Sequence, residues 1–112
     1  MSAEFTVLWS REAIYDVAEI SEYIEMRFGL ERAERFNTEI DEAVGRLGYT
    51  HSAFADIGLN HRGLNIRKMV FIPSVVFYVV DREAQQIHVL RVLRHERDWQ
   101  TVLREQTHCT FE

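Results

Sequence analysis

Apolar residues recur at Ala13, Ile14, Val17, Ile20, Ile24 and Phe28. That three-and-four spacing lays one apolar stripe along a helix. Ser10 stands where an N-cap accepts free N–H groups, and Glu12 in the first turn opposes the helix dipole. Gly29 supplies the stop. The pattern returns at Ala33, Phe36, Ile40, Ala43, Val44 and Leu47, and Gly48 ends it. So short a joint predicts two antiparallel helices packed side by side.

The rest of the chain has the period of strands. Residues 5–9, rich in β-branched and aromatic side chains, predict a first short strand. Residues 49–62 lack a clear period, contain Gly58 and Asn60, and read as a loop. Residues 64–69 alternate as a half-exposed strand does, and Pro73, the only proline, marks a turn within 71–74. Residues 75–80 are apolar on both faces, which predicts the middle of the sheet. A second turn at 81–85 leads to a last strand at 87–93. A short helix follows within 96–106, with Trp99, Val102 and Leu103 on its inner side.

This order predicts one α+β domain spanning residues 1–112. It has two layers: an N-terminal strand, an antiparallel helical hairpin, a three-stranded antiparallel meander and a short C-terminal helix. With helices on one sheet face only, the other face would present Val75, Phe77, Val79, Ile87, Val89 and Leu93. Such an exposed apolar patch normally marks a partner surface; the alternative is that the terminal helix folds over it and covers it within the monomer or a dimer.

Composition narrows the setting. An apolar share of 46% over 112 residues suits one modest core. The longest apolar run is far short of the roughly 20 residues of a membrane helix. The first residues lack the basic start and apolar centre of a signal peptide. Cys109 is the only cysteine, so no internal disulfide forms, and the expected location is cytoplasmic. The net charge of −5 divides into −7 over residues 1–60 and +2 over residues 61–112. The acidic half is unsuited to tracking a phosphate backbone.

Candidate chemistry is sparse. His51, His61, His88, His95 and His108 show no zinc-motif spacing, so no metal and no cofactor is expected. Gly45, Gly48, Gly58 and Gly63 form no phosphate-binding turn. Ser10, Ser74 and Cys109 have no base at a telling spacing. RNA cleavage without metal needs a base, cations for the phosphate and an acid. Arg67, Arg91, Arg94, His95, Glu96 and Arg97 include all these types. Arg67 and Arg91 are expected on one sheet face, about 10 Å apart. The alternative is that these charges solvate an uncovered face or make ion pairs.

The tail carries a resemblance. Phe77-Tyr78-Val79-Val80-Asp81, a turn, residues 87–93 and Arg94-His95-Glu96-Arg97-Asp98-Trp99 resemble the closing signature of the RelE/ParE toxin superfamily. Its members are toxins of bacterial type II toxin–antitoxin, or plasmid stabilisation, modules. Ala13, Asp16-Val17, Ile20 and Tyr23-Ile24 look like the family's opening motif. Ala33 and Phe36 look like its second-helix anchors, and Leu64-Asn65-Ile66-Arg67 like its second strand.

The resemblance implies an N-terminal strand beside the last strand, and a ParD-like antitoxin that wraps the toxin. It admits a homodimer or a hetero-oligomer with that antitoxin. The ParE branch poisons DNA gyrase by binding, without catalytic residues. The RelE branch cuts messenger RNA in the ribosome. RelE-type nucleases place an arginine three residues before the central-strand tyrosine, where this chain has Val75. They also carry a catalytic tyrosine in the terminal segment, and none occurs from Arg91 to Glu112, where Thr101 lies near the expected place.

The reading therefore favours a ParE-like binding protein with no catalytic residues. Its target or antitoxin contacts are Arg67, Arg91, Arg94, His95, Arg97 and Trp99. The alternatives are a messenger-RNA nuclease using Arg67, Arg91, His95 and Arg97, or a diverged, non-toxic binding module. One departure stands out: such toxins are usually basic, and this chain is acidic.

Overall fold

Strand β1 (Thr6–Trp9) runs into helix α1 (Arg11–Phe28), and one residue separates α1 from α2 (Leu30–Gly45). A short helix α3 (Leu47–Thr50) and a 3-10 turn (His51–Ala53) follow. Then come strands β2 (Ala55–His61), β3 (Leu64–Phe71), β4 (Ser74–Asp81) and β5 (Gln86–Arg94), and helix α4 (Trp99–Glu105). The structure, a computed structural model, describes residues 4–106 and 108–111. Among them the strands form one sheet in the order β1-β5-β4-β3-β2. β1 runs parallel to β5 and every other neighbour is antiparallel.

The helix signals act as expected. The Ser10 hydroxyl accepts from the Ala13 N–H at 2.9 Å. Gly29 has φ +99°, a conformation that other residues reach only with strain, so the two helices turn through a single residue. Ala13, Ile20 and Ile24 from α1 meet Phe36, Ile40 and Val44 from α2 in one core over the sheet. β4 lies in mid-sheet, and its residues from Ser74 to Val80 are all buried. The N-terminal strand pairs with the last strand, Val7 opposite Ile87, as the family resemblance implies.

Three local expectations are corrected. Residues 49–62 are not simply a loop: β2 adds a fourth strand to the meander. Its register against β3 shifts between Asp56 and Asn60, so the sequence shows no clean alternation. Helix α2 ends at Gly45, not Gly48. Helix α4 is shorter than predicted and begins after Asp98, which caps it through the Thr101 N–H.

A larger correction concerns the sheet's second face, which is not bare. Val75, Phe77, Val79, Leu90 and Leu93 form a second core with Leu103 and Cys109 of the chain's own C-terminal segment. Trp99, Val102 and Phe111 pack against it. Ile87 and Val89, expected on this face, belong instead to the helix-side core. The cause is a bulge. Phe77 faces Arg91 but Tyr78 faces Val89, so Leu90 is an extra residue that shifts the alternation.

Gly48 matters for proximity, not for ending a helix. Its carbonyl accepts from the Phe5 N–H at 2.9 Å. A Cβ there would lie 2.5 Å from the Phe5 carbonyl oxygen, inside contact distance of rigid backbone. Gly48→Ala is therefore expected to push β1 off the α3 turn and destabilise the fold by about 1–3 kcal/mol. Urea unfolding of the two proteins measures this directly; an unchanged midpoint would refute the close approach.

Candidate functional site

The arginine in the middle of β5 turns inward. Arg91 Nε donates to Asp16 Oδ2 at 2.6 Å and Nη2 donates to Oδ1 at 2.8 Å, a two-pronged pair between β5 and α1. Arg91 Nη1 donates to Gln106 Oε1 at 2.6 Å. Asp16 also accepts the Val92 backbone N–H at 3.0 Å. The two side chains are 17% and 9% exposed, so this is a buried pair with its hydrogen-bonding positions largely filled. The hydrogen bond to Asp16 raises the Arg91 pKa further above its ordinary value.

Arg67 lies on the helix-side face, since it pairs opposite Tyr78 while Met69, two residues on, lies in the helix-side core. Its Nη1 donates to the Phe54 carbonyl at 2.6 Å. Tyr78 donates its hydroxyl to the His51 carbonyl at 2.6 Å, and burial pushes its pKa up to about 12. The Arg67 charge opposes that shift. The two arginines do not share a face as expected: Arg67 lies beneath the helices, whereas Arg91 pairs opposite Phe77 of the tail-side core and its guanidinium reaches both Asp16 and Gln106. They hold separate protein partners.

The remaining candidates gather at the C-terminal end of β5. The Arg94 guanidinium lies 3.8 Å from the centroid of the Tyr23 ring, which Arg27 also approaches at 4.7 Å. Arg94 pairs with Glu96, and His95 Nδ1 lies 3.6 Å from the same carboxylate. The Glu96 pKa is lowered by its own backbone N–H and then by Arg94 and His95. Arg97 is exposed. A cleft of 340 Å³ runs here between α1 and the strand end, with Glu19, Tyr23, Arg94 and Arg97 on its walls. Trp99 lies on the tail side, 5.3 Å from Phe77 between ring centroids, with the Lys68 ammonium 5.5 Å from its ring.

The positions that bear on RNA cleavage stand as follows. Val75 is 5% exposed and part of the tail-side core. Thr101 donates its hydroxyl to Asp98 at 2.7 Å, a helix-capping contact. Burial raises the Cys109 thiol pKa, which keeps it protonated and unreactive. Among the described residues no three His, Cys, Asp or Glu side chains group to hold a metal. No described helix is long and apolar enough to cross a membrane. Chemically, the strand end offers positive charge, an aromatic platform and one exposed imidazole.

Asp16 and Tyr23 were not singled out as site residues from the residues alone. A signal existed: Asp16 lies three residues after Ala13 and four before Ile20, on the inward face. An acid there calls for a buried cation, and β5 carries one.

The family model described as "ParE toxin of type II toxin-antitoxin system, parDE" matches residues 7–99. The chain belongs to the ParE toxin family. A chromosomal ParDE toxin–antitoxin system from P. aeruginosa includes a chain of the same fold. It is 24% identical, with TM-score 0.69, over 85% of this chain and all of that one. The RelBE2 toxin–antitoxin complex from Mycobacterium tuberculosis is similar at 15% identity and TM-score 0.58, over 87% of this chain and 98% of that one. A comparison with curated proteins finds no match.

Two outcomes are expected for this ParE-family chain. Arg91→Ala strands the Asp16 carboxylate and should destabilise the fold by about 3–5 kcal/mol in urea unfolding. Tyr78 keeps its proton in the folded chain up to about pH 12, whereas in the unfolded chain it ionises near 10. This contribution to stability is therefore complete below pH 10 and is lost as pH rises toward 12. Tyr78→Phe should remove a phenolate absorbance step near pH 12 and flatten that alkaline loss.

Proposed function

We propose that this ParE-family toxin acts by protein–protein binding, with DNA gyrase as its target, and is held in check by a ParD-like antitoxin. The observation that carries the reading is the occupation of Arg67 and Arg91 by Phe54 and Asp16. Two of the four residues a nuclease would use are committed to the scaffold, and the arginine position of RelE-type nucleases is the buried Val75. What the surface offers a macromolecular partner is His95 and Arg97, beside an Arg94 that is paired with Glu96 and lies over Tyr23. Trp99 supports it from the tail side, and Arg67 and Arg91 act through the fold. The two similar solved structures come from toxin–antitoxin complexes, which supports an antitoxin partner here.

The test uses exposed positions, because Arg91→Ala would confuse loss of function with loss of fold. Purified chain should inhibit gyrase supercoiling, and co-expression of the neighbouring gene product should yield a stable complex and relieve toxicity. Combining His95→Ala with Arg97→Ala should weaken inhibition about tenfold while unfolding shifts by less than about 0.5 kcal/mol. Rapid message decay with unimpaired gyrase would replace this reading with the messenger-RNA nuclease.

A further inference from the structure

Two arginines of β5, Arg91 and Arg94, use their guanidinium groups very differently. Arg91 donates from Nε and Nη2 to Asp16 and from Nη1 to Gln106, so all three nitrogens have partners. Arg94 pairs with Glu96 through Nη2 alone, and its Nε is buried with no hydrogen-bond partner among the described residues. Glu96 cannot serve both nitrogens, because its other oxygen turns to His95 Nδ1 at 3.6 Å. A buried donor left unmet is costly. The Nε–Nη2 edge is also the one that grips a carboxylate by both oxygens, as Arg91 grips Asp16. Glu96 is 52% exposed and Arg94 37%, so their pair stands where a partner can reach it. The 340 Å³ cleft that Arg94 lines adds Arg97 as a second cation and Ile20 and Val92 as apolar walls. Its Tyr23 ring lies 3.8 Å from the Arg94 guanidinium and 4.7 Å from that of Arg27. Two carboxylates line the cleft, and one of them, Asp16, is already held by Arg91, which leaves Glu19.

We infer that this cleft receives a single acidic side chain of the protein target, whose carboxylate displaces Glu96 and spans Arg94 Nε and Nη2. Glu96 is then an internal stand-in that the partner must outcompete. This rests on the reading that the end of β5 meets a protein target, and adds the chemistry of that contact. A carboxylate held by both oxygens satisfies the donor that Glu96 leaves unmet, and its flat shape matches the planar fork of arginine. The aliphatic stem of an aspartate or glutamate suits the apolar walls. A nucleic-acid backbone suits the site less well, because its charges come in a row. Glu19 and the rest of the hairpin, which holds ten carboxylates against four arginines over residues 11–45, repel such a row while leaving room for one anion. A basic side chain would meet Arg27, Arg94 and Arg97 and be rejected.

The test follows the Arg94 Nε–H signal of the isotope-labelled full chain at low salt. The probes are a short peptide with one glutamate between leucines, its glutamine twin, and inorganic phosphate. The glutamate peptide should move that signal downfield, as a new hydrogen bond does, and bind at least about tenfold more tightly than its twin. Glu96→Gln removes the internal competitor and should tighten glutamate-peptide binding about threefold or more, whereas Glu34→Gln, the same charge change on α2, should leave it within about twofold. Arg94→Lys keeps the charge but lacks the fork, and should weaken binding about tenfold. Equal shifts with both peptides, a phosphate response as strong as that to glutamate, or unchanged affinity in Glu96→Gln would overturn the inference. Gyrase separates the two readings. If wild type, Glu96→Gln and Arg94→Lys inhibit supercoiling equally, the cleft inference falls and the gyrase reading stands. If none of them inhibits while the glutamate peptide still docks at Arg94, gyrase falls as the target and the cleft's preference for a carboxylate is supported.

Discussion

The Asp16 carboxylate joins the two main layers of this protein. It takes two hydrogen bonds from Arg91 and one from the Val92 backbone, all on β5. The bulge at Leu90 makes this necessary. An extra residue in β5 displaces backbone groups from the ladder with β4. Ser10 meets the same bulge from the other end: its hydroxyl donates to the Leu90 carbonyl at 2.7 Å while accepting from Ala13. Two polar side chains of the β1–α1 segment thus satisfy what the irregular strand leaves open. A buried pair of this kind contributes less to net stability than to holding one arrangement, since removing either partner leaves an isolated charge.

Fixing β5 under α1 orders everything beyond it. Leu90 and Leu93 point away from the hairpin and receive the C-terminal segment, with Leu103 and Cys109 against them. Gln106 ties that segment back to Arg91 at 2.6 Å, and Glu12 of α1 accepts from the Thr110 N–H at 2.8 Å. That bond, first among its causes, lowers the Glu12 pKa. The sheet is therefore covered on both faces, by the hairpin on one and by the tail on the other. Surfaces left for partners lie around the rim and over the hairpin, not on the sheet.

Much of this was legible in the residues, and the misses share a cause. Helices α1 and α2 declare themselves because their apolar positions repeat over several turns and Ser10 caps the first. β4 declares itself because a strand buried on both faces is an unbroken apolar run. Short irregular strands do not. β2 changes register between Asp56 and Asn60, so its half-buried residues never form a countable alternation. In β5 the extra residue at Leu90 moves Ile87 and Val89 to one core and Leu93 to the other. Counting odd and even positions cannot detect such a step, because one inserted residue exchanges the faces of everything after it. Arg91 keeps its place opposite Phe77 and is interior because Asp16 of α1 and Gln106 of the tail reach its guanidinium, which no pattern within β5 announces. The terminal cluster was easier to find, since charges beyond a strand end follow no register.

Net charge was the least informative quantity here, because partners meet patches rather than totals. The chain's −5 is the sum of a strongly acidic hairpin and a sheet half of opposite sign. At the end of β5, Arg94 and Arg97 line the cleft beside Tyr23, while the hairpin's carboxylates run along α1 and α2. Exposed charges separated by more than the Debye length of about 8 Å are largely screened from each other at physiological salt. Two surfaces of opposite character can therefore act independently on so small a domain. A toxin must bind its target and its antitoxin, and the second must prevail. An overall acidic chain is thus compatible with a ParE fold whose β5 end carries exposed arginine.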